Sequence, residues 1–174
     1  MKTLLLLRHA KAEPGMPGQN DHDRALAPRG ERNAGTMADY IAERKPAPDL
    51  ILCSSAARTR ATLAPLLARL GGPAPKVEYE RILYLCGEEA LLDRLRKVPE
   101  TARTVLLVAH NPDLQQLTLG LAGKGPPEWM ADVRTKFPTG ALARIELGDA
   151  PWSTLTWGMG TLTDLAKPRE LGED

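Results

Sequence analysis

Arg8, His9, Arg58 and His110 are the side chains whose types fit one chemistry, the binding and transfer of an anionic phosphoryl group. Arginine presents a planar fork of donors matched to phosphate oxygens and stays charged at every relevant pH. Histidine titrates near neutrality, with a reference pKa of about 6.5, so one copy can be a neutral nucleophile and another a cationic stabiliser. Taken singly, each reads as a solvated loop arginine or a capping histidine. Together, with no acidic residue beside any of them in sequence, they predict an anion site. Like charges gathered in a cleft are costly unless an anion neutralises them.

Three short apolar runs must bring the four together. Leu4–Leu7 leads into Arg8-His9-Ala10, Leu50–Cys53 into Ser54-Ser55-Ala56-Ala57-Arg58, and Thr104–Ala109 into His110-Asn111-Pro112. A continuous apolar run is the mark of a strand buried on both faces. In an open parallel sheet the carboxyl ends of the strands share one edge, and ligands bind in the crevice there. The helix that begins near Ala57 would aim its N-terminal amides at the same crevice.

The rest of the chain supplies the frame. Helical spacing covers Gly30 to Arg44 (Ala34, Met37, Ala38 and Ile41 on one face), Ala57 to Leu70 before Gly71-Gly72-Pro73, Glu88 to Lys97, and Asp113 to Ala122. Lys76–Tyr79 reads as a third strand, and the polar stretch from Lys11 to Pro28 as a long loop of the kind that is often functional. Gly123–Pro127 reads as a loop. Ala141–Leu147 and Ser153–Trp157 read as an antiparallel edge hairpin turning at Gly148-Asp149. Strands alternating with helices imply an α/β fold with a mostly parallel sheet, as a single domain over residues 1–174.

With the elements placed, Leu7-Arg8-His9-Ala10, Asp21-His22-Asp23-Arg24-Ala25-Leu26, the stretch Ser54 to Thr62, Val108-Ala109-His110-Asn111-Pro112 and Lys136 to Ala141 resemble the histidine phosphatase superfamily. The closest likeness is to its small SixA-type phosphohistidine phosphatases, and it covers most of the chain. The resemblance implies a three-layer, phosphoglycerate mutase-like sandwich. It also implies that His9 attacks phosphorus and is transiently phosphorylated, that Arg8 and Arg58 hold the phosphoryl oxygens, and that His110 donates to the transferring group. Arg24 is a further phosphate contact, or else a partner of Asp21 or Asp23. No metal or organic cofactor is implied.

Two departures from that pattern matter. Ala10 stands where the superfamily usually has glycine, so backbone φ there should not be positive. Larger members carry a carboxylic acid, between the third strand and the next helix, that protonates an alkoxide leaving group. In that window this chain offers Glu88 and Glu89, which equally suit the first turn of a helix. Glu13 and Asp23 in the long first loop are the other candidates. If no acid serves, a good leaving group is favoured, and phosphohistidine qualifies because imidazole is far less basic than an alkoxide.

Composition narrows the partners. Lys plus Arg (23) nearly balances Asp plus Glu (22), so no global charge draws the chain to nucleic acid or an anionic membrane. No apolar stretch approaches the roughly 18 residues of a membrane span, and Arg8 interrupts the apolar start too early for a signal peptide. A cytoplasmic location is expected. Cys53 reads as a buried thiol, and the two cysteines and three histidines lack zinc-ligand spacing. Lys124 lacks the surroundings of a phosphate-binding loop, and Trp129, Trp152 and Trp157 read as packing. The substrate is then a phosphorylated protein, such as a histidine phosphotransfer domain, or a small phosphate ester. The reading from a different class is a phosphate-binding module without catalysis, against which the retained nucleophile His9 speaks.

Overall fold

A computed structural model describes residues 1–172. The strands are β1 (Lys2–Arg8), β2 (Leu50–Ser54), β3 (Lys76–Glu80), β4 (Thr104–Ala109), β5 (Ala122–Lys124), β6 (Leu142–Gly148) and β7 (Gly160–Ala166). They form one sheet in the order β3-β2-β4-β1-β6-β7-β5. β4 lies between β1 and β2 and runs parallel to both, β3 extends the parallel part, and β6 is antiparallel to β1 and to β7. The helices are α1 (Pro28–Ala42), α2 (Ala57–Arg69), α3 (Glu88–Arg96), α4 (Asp113–Leu121) and α5 (Pro127–Thr135).

Alternation along the central strands makes three layers, because successive side chains leave a strand on opposite faces. Leu4, Leu6, Leu50, Leu52, Val105 and Leu107 join the core beneath α3, α4 and α5. Leu5, Leu7, Ile51, Cys53, Leu106 and Val108 join the core beneath α1 and α2. Apolar side chains are needed on both faces, so the three runs are apolar throughout.

Pairing in register aligns the strand ends. Arg8 stands opposite Ala109, and Cys53 opposite Val108. The residues that follow β1, β2 and β4 therefore share one edge of the sheet.

The structure corrects three expectations from the sequence. The hairpin partner of β6 is Gly160–Ala166, not Ser153–Trp157. Residues Trp152–Thr154 form a 3-10 turn, because the Trp152 indole is buried and donates to the Ala102 carbonyl (2.8 Å), pinning the chain before it can pair. The hairpin is also not at the edge, since β5 pairs in parallel with β7 beyond it. Gly123–Pro127 is thus not a plain loop: Gly123 and Lys124 belong to β5, and Pro127 opens α5. The stretch from Lys11 to Pro28 is folded on itself, with Ala12 bridged to Leu26 and a 3-10 turn at Asp21–Asp23.

Candidate active site

His9 leaves the end of β1 under tight backbone control. Its amide donates to Ala109 O (3.2 Å), and the Gly140 amide donates to the carbonyls of His9 (2.9 Å) and Arg8 (3.2 Å). Gly140 makes that approach at φ +78°, a conformation that side chains disfavour. His9 Nδ1 lies 2.7 Å from Ala10 O. A carbonyl only accepts, so the proton sits on Nδ1 and the lone pair on Nε2. The Ala10 amide donates to Thr62 Oγ1 (2.9 Å), which itself donates to Arg58 O (2.7 Å), tying this loop to α2. The φ of Ala10 is not positive, as its side chain requires; among the described residues other than glycine, Leu85 alone has a positive φ.

His110 stands beside it, the two rings 5.3 Å apart between centroids. Its Nε2 is 2.8 Å from Ser54 Oγ, at the end of β2. Ser54 Oγ accepts from the Ala56 amide (3.4 Å), so its own proton is available to His110 Nε2. The ring proton then falls on Nδ1, which is buried without a partner. Both imidazoles are held neutral. Burial first, then the charges of Arg8, Arg58 and Arg24, lower His9 to a pKa of about 4, although the Ala10 bond opposes this. Burial first, then His9 and Arg58, lower His110 to about 3.

The arginines bring positive charge to the same place. Arg8 donates Nη1 to Phe137 O (3.0 Å), and Asn111 Nδ2 donates to the same carbonyl (2.9 Å). Arg58, in the first turn of α2, is buried. A cavity of about 260 Å³ is lined by Arg8, His9, Arg24, Arg58 and His110, the predicted set, together with Lys11 and Leu85.

Asp21 stands beside these cations in space, although no acid neighbours Arg8, His9, Arg58 or His110 in sequence. Its carboxylate accepts from Arg58 Nη2 (2.9 Å), Arg24 Nη1 (2.8 Å) and Tyr84 Oη (2.5 Å), and its carbonyl from Arg58 Nη1 (2.8 Å). Those donors, Tyr84 foremost and Arg24 next, hold Asp21 far below the usual carboxylate range. Arg24 pairs with Asp21, one of the two roles foreseen for it, and also lines the cavity. Tyr84 sits edge-on to His110 (5.4 Å) and to His22 (4.9 Å), and His22 Nε2 is 2.8 Å from Ser55 Oγ. The sequence offered Asp21 as a partner for Arg24 and placed it with His22 in a family motif, but gave no sign of the bond to Arg58, and Tyr84 carried no signal as a site residue, because these contacts form only once the long loop folds back.

Glu88 and Glu89 are not brought to the cavity. They occupy the first turn of α3 and line a separate depression with Gln116, Leu119, Gly120 and Trp157. Nor do Glu13 and Asp23 line the cavity: Glu13 gives its carbonyl to Arg24, and Asp23 lies 3.7 Å from His22. Among the described residues no group of three or more His, Cys, Asp or Glu could hold a metal ion. Among the described residues no helix is long and apolar enough to cross a membrane.

Known proteins resemble this chain in sequence and fold. The family model "Histidine phosphatase superfamily (branch 1)" matches residues 4–83. An uncharacterized protein of Mycobacterium tuberculosis H37Rv is 35% identical over 166 residues, 94% of this chain and all of its own. The solved structure of a protein from Nakamurella multipartitia, described as a candidate phosphohistidine phosphatase SixA, superposes with a TM-score of 0.81 at 31% identity, covering 96% of each chain. A protein of the same description from Agrobacterium tumefaciens gives 0.81 at 31%, covering 96% of this chain and 98% of its own. With the likeness running nearly end to end, and with two neutral histidines between arginines at the shared edge of three strands, the chain belongs to the histidine phosphatase superfamily.

Proposed function

We propose that the protein hydrolyses phosphohistidine on a phosphorylated protein, through a phosphohistidine formed transiently on its own His9. One observation carries the choice of substrate: no carboxylic acid able to give up a proton lines the cavity. The carboxylate bound to Arg58 and Arg24 is Asp21, which those two and Tyr84 hold ionised. Expelling an alkoxide requires a proton in flight, whereas imidazole leaves with little help. The 31%-identical structures described as SixA proteins support the same reading.

The chemistry follows from the hydrogen bonds. His9 Nε2, kept unprotonated by the bond from Nδ1 to Ala10 O, attacks phosphorus as the P–N bond to the substrate ring breaks; that ring, already protonated on its other nitrogen, takes the bonding electrons and leaves as neutral imidazole. Arg8 and Arg58 carry the charge on the phosphoryl oxygens. His110 Nδ1–H, a buried donor with no partner in the free protein, takes one of those oxygens and recovers the cost of its desolvation. Water then attacks the phosphohistidine, an O–P bond replacing the N–P bond, and inorganic phosphate departs. Catalysis here is positioning and electrostatics, with a covalent intermediate that divides the reaction in two.

A leaving-group series tests the reading, in the wild type and in Glu88→Gln and Glu89→Gln. The expected result is turnover of a phosphohistidine peptide and of activated aryl phosphates, slow turnover of alkyl phosphates, and the same steep dependence of log kcat/KM on leaving-group pKa in all three proteins. A shallow wild-type slope that steepens in one variant would instead identify that glutamate as a general acid and favour small phosphate esters.

A further inference from the structure

Beside the catalytic cavity lies a groove that the proposed chemistry leaves unused. Its volume is about 510 Å³, against 260 Å³ for the cavity, and the two share Arg8, Lys11 and Thr139 along their common wall. The groove is strongly basic in a chain whose net charge is only +1. Six cationic residues line it against the single acid Glu170. Lys167 is paired with Asp132 (3.0 Å). Lys11, Arg29, Lys136 and Arg169 are exposed and have no side-chain partner among the described residues.

A second observation marks the groove as a binding surface. Asn33, on α1 one turn beyond Arg29, also lines it and is only 3% exposed, yet its buried Oδ1 has no hydrogen-bond partner. A buried amide left unsatisfied is costly unless something completes it. Carboxamide oxygen and nitrogen are not told apart by shape, so the group can accept from or donate to whatever fills the groove.

The lining speaks for an extended acidic chain. Small-molecule pockets are lined mainly by apolar and aromatic side chains with a few fixed polar groups. This groove has no aromatic residue, and four of its six cations, Lys11, Arg29, Lys136 and Arg169, sit on long exposed stems contributed by the first loop, α1, the segment before β6 and the chain after β7. Spread-out cations suit several carboxylates on a backbone, and a side-chain amide suits a peptide bond. We propose that the groove binds an acidic segment of the phosphorylated partner protein, seating it so that the phosphohistidine reaches His9. The partner class rests on the function proposed above; the anionic character of the ligand does not.

The test uses the full chain and the triple variant Arg29→Gln/Lys136→Gln/Arg169→Gln, which alters exposed residues outside the catalytic set. Two phosphohistidine peptides are compared, one with Asp and Glu flanking the histidine and one with Asn and Gln. At low salt the wild type should prefer the acidic peptide by about tenfold or more in kcat/KM, mainly through KM. Added salt should erode the preference as charges are screened. The triple variant should lose it while hydrolysing a simple aryl phosphate like the wild type. Equal rates on the two peptides, or a preference that survives in the variant, would overturn the proposal. So would a groove-dependent gain seen only with a small phosphate ester carrying extra carboxylates.

Binding of the unphosphorylated acidic peptide, followed by calorimetry, reads the groove without any turnover. Salt-sensitive binding lost in the variant supports the proposal even if phosphohistidine proves a poor substrate. Absence of binding to the wild type contradicts it even if phosphohistidine is turned over.

Discussion

Arg58 is already held at both ends of its fork before any substrate arrives, by the carboxylate and the carbonyl of Asp21. That anchoring fixes the plane in which its donors can meet a phosphoryl group, so geometry as well as charge should matter. Arg58→Lys keeps the charge and removes the fork. A fall in kcat/KM of order 10²-fold, or about 3 kcal/mol, is expected in steady-state kinetics; near-normal kinetics would remove Arg58 from the site. At this scale the sequence was informative for residues at or soon after the ends of strands: Arg8, His9, Arg58 and His110 all line the cavity. It offered Asp21 only as a partner for Arg24 and was silent on Tyr84; the hydrogen bond between the two spans 63 positions and depends on how two loops close.

The elements position the site through a few close approaches. Gly30, at the start of α1, lies so near the loop after β1 that a Cβ there would come within 2.0 Å of Lys11 O. The Ala27 amide donates to that same carbonyl (2.9 Å), so neither side can retreat freely. Gly30→Ala should therefore destabilise the fold by roughly 1–3 kcal/mol, the usual range for overpacking, and lower activity with it, because the displaced loop carries Lys11 and leads back to Arg24. Urea unfolding together with kinetics checks both; a variant as stable as the wild type would mean the loop yields.

The same scale shows why some elements were legible and others were not. Runs such as Thr104–Ala109 are buried on both faces, so their pattern has one reading. Residues 153–157 alternate like a strand but are held as a turn by the buried indole of Trp152. The true strand β7, Gly160–Ala166, alternates as well, and only pairing with β6 tells the two apart. α5 is short and begins at Pro127, directly after Pro126, so its start reads as a break.

Across the whole molecule, two buried histidines held neutral couple stability to pH. Their pKa values fall from 6.5 to about 4 for His9 and about 3 for His110. The unfolded chain therefore takes up protons first as pH falls. Their contribution is fully present above about pH 6.5 and is lost progressively as pH drops toward 4 and 3. Between pH 7 and pH 5 urea unfolding should show a loss of about 2–4 kcal/mol for the pair. Phosphate should reduce that loss, because a bound anion favours the protonated rings. Unchanged stability across this interval would mean that both histidines titrate normally in the folded state.

The proposed mechanism requires His9 Nε2 to become covalently phosphorylated. Rapid alkaline quenching of the wild type during turnover of a labelled phosphohistidine peptide or aryl phosphate, followed by peptide mapping, tests it directly. The account predicts acid-labile, alkali-stable label on the peptide containing His9, and neither label nor turnover in a folded His9→Ala variant. Label on another residue, or appreciable phosphatase activity in that variant, would contradict it.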